Sequence, residues 1–358
     1  MFFYMKSLFI VSLLVLSSCQ KGGEIKPIIE PQLASQEQGE PVIIGHSFMI
    51  NSEVFATQRR LSVKLPARYE SEPERRFPVM YIIDGGPEQD FPHLAGMQNS
   101  FDLNWSVEPM IVVGVETVNR RAEITPPASD PRYEDVFPER GGAKNFRNYI
   151  QDDVFTWVEK NYRVNQDRMV IGESLAGLFV VDTFLNEPEL FTKYAAISPS
   201  LWWDNLSIVG AVPEALDDFT SEPREVYLTM ANEGLQMQKG LDILIDGLES
   251  GAPENLTWHY VDRRNQEHHG SIYQPAALDA IRTFYPTAGW EGASPRDFYL
   301  FEDGVYPEIS EAAKARIEAG CDNETAVRTS FEETNKDWEK WNAFCVIRKL
   351  GPPRTKGN

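Results

Sequence analysis

Short apolar runs typical of buried strands alternate along the chain with stretches that have the periodicity of amphipathic helices. The clearest helical pattern spans residues 145–161, where Phe146, Ile150, Val154 and Trp157 fall on one face. Buried strands alternating with helices predict a three-layer α/β domain with a mainly parallel sheet and two antiparallel opening strands at its edge. The predicted strands are residues 47–50, 59–65, 79–83, 110–115, 169–171, 194–197, 226–230 and 258–261, and a last helix is expected over 274–284.

The composition changes at both ends of this α/β pattern. Residues 20–40 are rich in Pro, Gln, Gly and Glu and contain few large apolar side chains, which predicts a flexible tether. The ordered domain is expected over residues 41–286. Residues 287–358 contain helical stretches but no cluster of acids and bases, so we interpret them as a C-terminal helical appendage.

The first 19 residues have the pattern of an export signal. Lys6 precedes an apolar run over residues 7–16, which is shorter than the ~20 residues that a membrane span requires. The sequence Leu16-Ser17-Ser18-Cys19 is similar to a bacterial lipoprotein box. We therefore expect lipidation of Cys19 and a lipid-anchored membrane lipoprotein on the periplasmic face of the bacterial cell envelope. The alternative is an ordinary signal peptide that contains a cysteine.

Cys321 and Cys345 are the other two of the three cysteines. Disulfides persist in exported proteins, and an even number of remaining cysteines favours a bridge between these two. Closing the loop between them should stabilise the fold by about 3 kcal/mol in the chain-entropy treatment. Neither cysteine has a second Cys or a His at metal-ligand spacing, so we expect a structural disulfide and no metal site.

The formal net charge of −20 limits the partners of the protein. Phosphate backbones and anionic membrane surfaces would be repelled, so we expect no nucleic-acid binding. A hydrophobic content of 42% is sufficient for one large core. We expect a small-molecule substrate and no cofactor.

The segment RMVIGESLAGLFVVDTF, residues 168–184, has the pattern of a nucleophile elbow. A short apolar strand ends at Gly172, Ser174 follows, and small residues open an apolar helix. Such a turn exposes the serine at its apex, while small neighbours let the strand and the helix approach closely. Ser174 is therefore the candidate nucleophile, and the alternative is a serine in an ordinary turn between a strand and a helix.

The order of the five histidines along the chain selects a candidate base. Where such an elbow carries a triad in an α/β-hydrolase, the acid and then the histidine follow the serine. His46 and His93 precede the serine, and His259 lies inside the last predicted strand, where a packing role is expected. His268 and His269 follow that strand on a polar loop, where a base can reach the serine. His269 is our candidate base, and His268 is the alternative.

The candidate acid is Glu233, which follows the predicted strand 226–230. In this position a carboxylate can orient the imidazole and stabilise the imidazolium that forms during acyl transfer. Asp204 follows the preceding strand and is a weaker candidate, and Asp242 and Asp246 lie on the next helix and are expected to face solvent. A serine–histidine dyad without an acid is the remaining alternative.

An oxyanion hole requires two backbone N–H donors directed at the developing negative charge. One is expected from Leu175, the residue after the nucleophile. The other is expected from Gly85 or Gly86 in the loop that follows the strand 79–83, because glycines permit close backbone approach.

Together these residues resemble the esterase D-like family of α/β-hydrolases, and within it the periplasmic enterochelin and salmochelin esterase group. The resemblance implies an α/β-hydrolase fold and a serine carboxylic ester hydrolase with nucleophile Ser174 and base His269. Two features depart from the family pattern: Ala176 stands where Gly is usual, and the C-terminal appendage has no counterpart. The matching stretches are residues 60–66, 78–85, 113–115, Arg121, 125–126, the elbow, 198–204 and 269–271.

Three residues are candidates for contact with the substrate. Trp202 and Trp203 follow a core strand at its carboxyl end, where a ring can stack on an aromatic group, and packing at the rim is the alternative. Arg121 can meet a carboxylate or catecholate, or lie in solvent. The sequence does not distinguish between three substrate classes: siderophore-type esters, small acyl esters and sugar-linked esters. The alternatives to a hydrolase are a non-catalytic ligand-binding lipoprotein and an acyltransferase.

Overall fold

An eight-stranded sheet forms the centre of the protein. The computed structural model describes residues 40–104, 107–217, 219–220 and 222–286, and the fold described below is the unit that begins at Ile43. Cys19, nearly all of the predicted tether, and the C-terminal appendage with Cys321 and Cys345 lie outside the described residues. The strands are β1 (His46–Ser52), β2 (Thr57–Lys64), β3 (Phe77–Ile83), β4 (Ile111–Val115), β5 (Val164–Glu173), β6 (Lys193–Ile197), β7 (Arg224–Met230) and β8 (Leu256–Asp262).

The strands are arranged in the order β1-β2-β4-β3-β5-β6-β7-β8. β2 pairs antiparallel with both β1 and β4, and all the later neighbours are parallel. The predicted mainly parallel sheet with two antiparallel edge strands is therefore confirmed. Because β4 and β5 lie on opposite sides of β3, the loops after β3 and β5 flank a crevice at the carboxyl edge. Open α/β sheets bind their ligands at such a position.

Helices cover both faces of the sheet. None of the helices that the structure describes has the length and apolar character needed to cross a membrane. The helices are α1 (Phe91–Asn104), α2 (Arg120–Ile124), α3 (Arg132–Val136), α4 (Ala143–Tyr149), α5 (Thr156–Asn161), α6 (Leu175–Asn186), α7 (Ser207–Gly210), α8 (Val212–Asp217), α9 (Leu235–Gly251) and α10 (Tyr273–Phe284), with a π-helical segment at Ile150–Phe155 and a 3₁₀ segment at Trp203–Leu206.

The apolar core lies on both sides of the sheet, because successive strand residues point to opposite faces. In β3, Val79, Tyr81 and Ile83 belong to the cluster that includes residues of α4, α5, α6 and α9, whereas Met80 and Ile82 belong to the cluster with α1 and α10. With both faces covered, β3 and β4 are buried at every position and contain no charged side chain. The predicted three-layer α/β-hydrolase architecture is confirmed.

Two elements differ from the predicted pattern. The helix expected over 145–161 consists of α4, the π-helical segment and α5 in direct succession. Its apolar face is buried as predicted, but the wider π turn in the middle has no signal in the hydrophobic periodicity. The strand expected over 169–171 extends over 10 residues as β5, because residues before Met169 also pair with β3.

The close approach of α6 to β5 and β6 depends on glycines. A Cβ atom on Gly172 would lie 2.6 Å from the backbone carbonyl carbon of Ala176, and one on Gly177 would lie 2.9 Å from the carbonyl oxygen of Ile197. Gly172 is thus the residue that the turn requires. The Cβ atom of Ala176 occupies space that a side chain at Gly172 would need, so alanine is accommodated where the motif usually has glycine.

We expect Gly172→Ala to lower the free energy of unfolding by about 1–3 kcal/mol, because the added methyl group must displace α6. Urea titration followed by tryptophan fluorescence measures this change. Gly96→Ala in α1 is the matched control, since a Cβ atom at Gly96 meets no atom within 4 Å. The control should be neutral or stabilising by about 0.5–1 kcal/mol. Equal effects of the two substitutions would contradict the packing argument.

Candidate active site

Ser174 lies in a sharp turn between β5 and α6. Its backbone has φ 62° and ψ −118°, a conformation that costs a non-glycine residue about 1–3 kcal/mol. The N–H of Ser174 donates a hydrogen bond to the carbonyl of Ile197 (3.0 Å), and the N–H of Ser200 donates one to the carbonyl of Ser174 (3.0 Å). These bonds fix the strained residue to the adjacent strand, so that its hydroxyl lies at the carboxyl edge of the sheet.

The structure brings His269 and Glu233 to this serine. Nε2 of His269 lies 3.1 Å from Oγ of Ser174, and Nδ1 lies 2.7 Å from Oε1 of Glu233. With its proton on Nδ1, the ring donates to the carboxylate and leaves Nε2 as an acceptor for the serine hydroxyl. The Glu233 side chain is only 8% exposed, whereas that of His269 is 45% exposed. The histidine is therefore open to a substrate, while its carboxylate partner is shielded.

The loops after β7 and β8 are tied to each other, which positions both side chains. The N–H of Asn232 donates to the carbonyl of Glu267 (2.9 Å), next to the two candidate residues. Within the second loop, the hydroxyl of Ser271 donates to a carboxylate oxygen of Glu267 (2.7 Å). Glu233 and His269 are thus held by neighbouring strands of the sheet.

A second carboxylate faces the same imidazole from the serine side. Oε1 of Glu173 lies 3.3 Å from Nε2 of His269. Burial raises the pKa of Glu173 to about 7; the positive charges of His269 and Arg120 oppose this rise, and the negative charges of Asp90 and Glu233 add to it. Glu173 was not selected in the sequence analysis, although its position directly before the nucleophile was the available signal.

A buried polar cluster lies beside the elbow, at the end of β3. The Nε of Arg120 donates to Asp84 (2.5 Å), the hydroxyl of Thr117 donates to the same carboxylate (2.5 Å), and the Nη2 of Arg120 donates to the backbone carbonyl of Glu173 (3.3 Å). Burial and the charge of Asp84 raise the pKa of Asp90 to about 6, against the charge of Arg120. These contacts join the loop after β3 to the elbow. Their sequence signal was a polar residue directly after a buried strand.

The predicted oxyanion donors differ in availability. The N–H of Leu175 is in the first turn of α6, where the helix offers it no partner and the helix dipole favours negative charge. The N–H of Gly85 donates to the carbonyl of Val115 (2.8 Å) and is not available to a substrate, which corrects the expectation for Gly85. The N–H of Gly86 donates to the side-chain oxygen of Gln89 (2.9 Å), so Gly86 is a donor only when that side chain moves.

The two tryptophans after β6 lie in different environments. Trp203 is fully buried, and its indole N–H donates to the carbonyl of Pro126 (3.1 Å). Its ring packs edge-on against Tyr133, with 4.9 Å between the centroids. Trp203 is therefore a core residue, which corrects the expectation that it contacts the substrate. Trp202 is half-buried and lines a cavity of about 600 Å³.

The cavity beside Trp202 combines aromatic and cationic side chains. Gln236 and Lys239 in α9 contribute to its lining, so it is built by the loops and helices that follow β6 and β7. Arg121 is exposed, and its guanidinium lies 5.0 Å from the ring centroid of Phe137, a lining residue. Arg121 thus contacts a lining residue without lining the cavity itself. Further lining residues are Arg132, Tyr133 and Leu206.

The other candidate histidines and acids do not reach the serine. His259 is a half-buried residue of β8 whose ring lies 6.5 Å from that of Phe284, and Nδ1 of the exposed His268 accepts from the N–H of Gly270 (3.2 Å). Asp204 accepts backbone N–H bonds from Ser129 and Asp130, both 2.9 Å long. Two further acids are exposed on α9: Asp242 and Asp246.

Comparison with known proteins gives relatives that are esterases by name. Ferri-bacillibactin esterase BesA of Bacillus subtilis is 30% identical over 146 residues, which cover 37% of this chain and 50% of that protein. Apo-salmochelin esterase of Escherichia coli is 30% identical over 141 residues, which cover 36% of this chain and 43% of that protein. The chain thus spans about half the length of these curated relatives.

Among solved structures, an IroE-like serine hydrolase from Shewanella oneidensis has a TM-score of 0.61 and 23% identity. The similarity covers 67% of this chain and 80% of that one, and it shows a common fold. Residues 52–271 match the sequence profile of the family described as "Putative esterase". This range includes β2 to β8 together with Ser174, Glu233 and His269. The chain therefore belongs to this esterase family of α/β-hydrolases.

Proposed function

We propose that the protein is a serine carboxylic ester hydrolase that forms an acyl-enzyme on Ser174. The observation that carries the proposal is the position of His269, with its two ring nitrogens at hydrogen-bond distance from Ser174 and Glu233. Nε2 accepts the serine proton as Oγ attacks the ester carbonyl, and Glu233 orients the ring and stabilises the imidazolium. His269 then protonates the leaving alcohol, and it activates the water that hydrolyses the acyl-enzyme.

The negative oxygen of the tetrahedral intermediate requires donors that are fixed before the reaction. The N–H of Leu175 at the start of α6 supplies one, and Gly86 supplies the second once Gln89 has moved away. Removal of a single donor of this kind typically costs a few kcal/mol of barrier. The N–H groups of Leu175 and Gly86 bind the negative oxygen, while His269, oriented by Glu233, transfers the protons.

We infer siderophore-type esters as the substrate class, and small acyl esters are the broader alternative. The relatives named as ferri-bacillibactin and apo-salmochelin esterases support this inference. The cavity beside Trp202 supports it on chemical grounds, since ring faces of Trp202 and Phe137 suit an aromatic acyl group. Lys239 lines the same cavity without an ion pair in the described part of the chain, so its charge is available to a catecholate oxygen.

We further propose that the protein is exported and anchored through a lipid on Cys19. Support comes from the charged start, the short apolar run and the small residues before the cysteine. A single acyl chain binds membranes only marginally, whereas the multiple acylation of a lipoprotein gives a stable anchor. The same compartment would permit the bridge between Cys321 and Cys345.

Ser174→Ala should abolish ester hydrolysis, with a loss in kcat on the order of 10⁴ to 10⁶, because the nucleophile is removed. Steady-state assays with p-nitrophenyl esters measure the loss, and a fluorophosphonate probe should label the wild type but not the variant. His269→Ala should be comparably inactive. His268→Ala is the matched control and should keep activity within about threefold, since its exposed ring accepts a hydrogen bond from its own loop and not from the catalytic residues. An inactive His268→Ala beside an active His269→Ala would contradict the proposed base, and an unlabelled wild type would favour a ligand-binding protein.

Trp202→Ala should raise the KM for a catecholate ester about three- to tenfold, because stacking on an aromatic ring contributes about 0.5–1.5 kcal/mol. The KM for p-nitrophenyl acetate should stay within about twofold, since this ester is too small to fill the cavity. A tris-catecholate lactone is assayed with and without Fe³⁺ by chromatography of its hydrolysis products. Trp202→Phe is the control that retains a ring. Equal changes for both esters would place Trp202 outside the acyl site.

Protein recovered from the membranes of an expressing bacterium should begin at Cys19 and carry acyl chains there. Mass spectrometry of the N-terminal peptide detects the acyl chains, and Cys19→Ser should release the protein from the membrane fraction. The same sample, analysed without reductant, should contain a peptide pair joined through Cys321 and Cys345. Two alkylatable thiols at these positions would exclude the bridge.

A further inference from the structure

We propose that Glu173 is a positioning residue for the reaction of Ser174, whose carboxylate stabilises the protonated form of His269 and so sets the pH range in which the histidine acts as a base. The inference rests on the proposed function of this site and adds one residue to it.

Glu173 is the last residue of β5, directly before the serine. Its Oε1 lies 3.3 Å from Nε2 of His269, nearly as close as the 3.1 Å between Nε2 and Oγ of Ser174. The Glu173 side chain is 17% exposed, and its buried Oε1 accepts no hydrogen bond within the described residues. A buried carboxylate oxygen without a donor is destabilising unless a positive charge faces it. Among the described residues, the group at this distance that becomes positive in the reaction is the imidazole of His269.

The charge of His269 changes during acyl transfer, and the carboxylate responds to this change. In the resting enzyme, Nε2 must keep a lone pair for the hydroxyl of Ser174, and this lone pair is repelled by a negative Oε1. When Nε2 takes the serine proton, the repulsion becomes an attraction between an imidazolium and a carboxylate. Glu173 therefore stabilises the transition state more than the ground state, which is the condition for catalysis.

Glu173 and Glu233 act on opposite ring nitrogens. Glu233 accepts a hydrogen bond at Nδ1 and fixes the orientation of the ring, whereas Glu173 contributes charge at Nε2 without a hydrogen bond. A second carboxylate at Nε2 also has a cost, because it favours the protonated histidine before the substrate arrives. The pH at which the enzyme becomes active should therefore be higher than it would be without Glu173.

The surroundings keep the Glu173 carboxylate available for this role. Arg120 is the nearest cation on a neighbouring helix, but it donates to Asp84 and to the backbone carbonyl of Glu173 and not to its carboxylate. Burial raises the pKa of Glu173 to about 7, so the carboxylate forms in the pH range in which histidines act as bases. No group of three or more metal-ligating side chains is arranged around a metal position in the described ranges. The charged and titratable groups that face Glu173 from other elements are His269, Glu233, Asp90, Arg120 and Tyr273.

The pH profile of kcat/KM between pH 5 and 9 tests the inference in Glu173→Gln, which keeps the shape of the side chain and removes its charge. The rising limb should reach half of its maximum about one pH unit lower than in the wild type, because the histidine loses its proton more easily. The plateau should fall about tenfold, because the histidine is then a weaker base and its imidazolium is less stabilised. The KM should stay within about twofold. A purely structural role would lower the plateau without moving the limb.

Four further measurements separate the outcomes. Glu173→Asp retains a shorter, charged side chain and should give a limb between those of the wild type and Glu173→Gln. Glu249→Gln removes one charge from the exposed end of α9 and should leave the profile unchanged. The rate of fluorophosphonate labelling against pH reports on the serine and histidine without turnover, and it should show the same shift. Urea midpoints verify that each variant is folded.

A Glu173→Gln profile that superimposes on that of the wild type overturns the inference, provided that Ser174→Ala is inactive in the same assay. If Glu173→Gln does not fold, Glu173→Asp tests the inference instead. The rising limb of its kcat/KM profile must then lie at a lower pH than that of the wild type. If the wild type is neither labelled nor active on any ester, the proposed function itself fails. The failure of the inference and the failure of the function are therefore distinguishable.

Discussion

The strained backbone of Ser174 is the constraint on which the rest of the site depends. A positive φ at a residue with a side chain is retained only where the surrounding structure imposes it. Here β6 imposes it through the carbonyl of Ile197, and the turn after β6 through the N–H of Ser200; α6 closes over the elbow because Gly172 has no side chain. The helix is buried along almost its whole length, from Leu175 to Leu185. Each large apolar side chain of α6 contributes about 1.5–3 kcal/mol on burial, so its packing outweighs the local strain.

The two carboxylates around this serine differ in burial and in hydrogen bonding. Glu233 is almost enclosed yet hydrogen-bonded to His269, whereas Glu173 is partly enclosed and its buried Oε1 has no donor among the residues that the structure describes. Two carboxylates at one edge of the sheet thus face the same imidazole: Glu233 forms a hydrogen bond with it, and the buried oxygen of Glu173 does not. A hydrogen-bonded carboxylate fixes the orientation of the imidazole ring. A carboxylate oxygen without a hydrogen bond interacts more strongly with the ring once the ring becomes positively charged. This difference assigns separate tasks to two residues of the same type, and it follows from their positions, since Glu173 ends β5 and Glu233 lies in the loop after β7.

The sequence was sufficient to predict the sheet, its edge strands and the meeting of Ser174 with His269, because each of these follows from apolar periodicity and from the order of residues along parallel strands. Trp203 was misassigned, since position after a strand does not distinguish an inward ring from one that lines a cavity. Gly85 was misassigned because its N–H pairs with Val115, a contact across two strands that no local pattern encodes. The contact of Glu173 with His269 was missed for a similar reason: Glu173 ends β5, His269 lies in the loop after β8, and only the folded chain shows how far each side chain reaches.

The acidity of the chain gives the cavity beside Trp202 its electrostatic significance. A net charge of −20 repels an anionic catecholate at long range, but in physiological salt this repulsion is screened beyond about 8 Å. Within that distance, the charged side chains at the cavity determine how strongly an anionic group is attracted. Arg132 forms an ion pair with Asp130 and a hydrogen bond to Asn205, so its charge is partly offset, whereas Lys239 lines the cavity without an ion pair in the described ranges. For the anionic ester that we propose as the substrate, binding should therefore depend on the cations at the cavity, Lys239 and the neighbouring Arg121, beside an aromatic wall, and it should weaken only modestly with added salt.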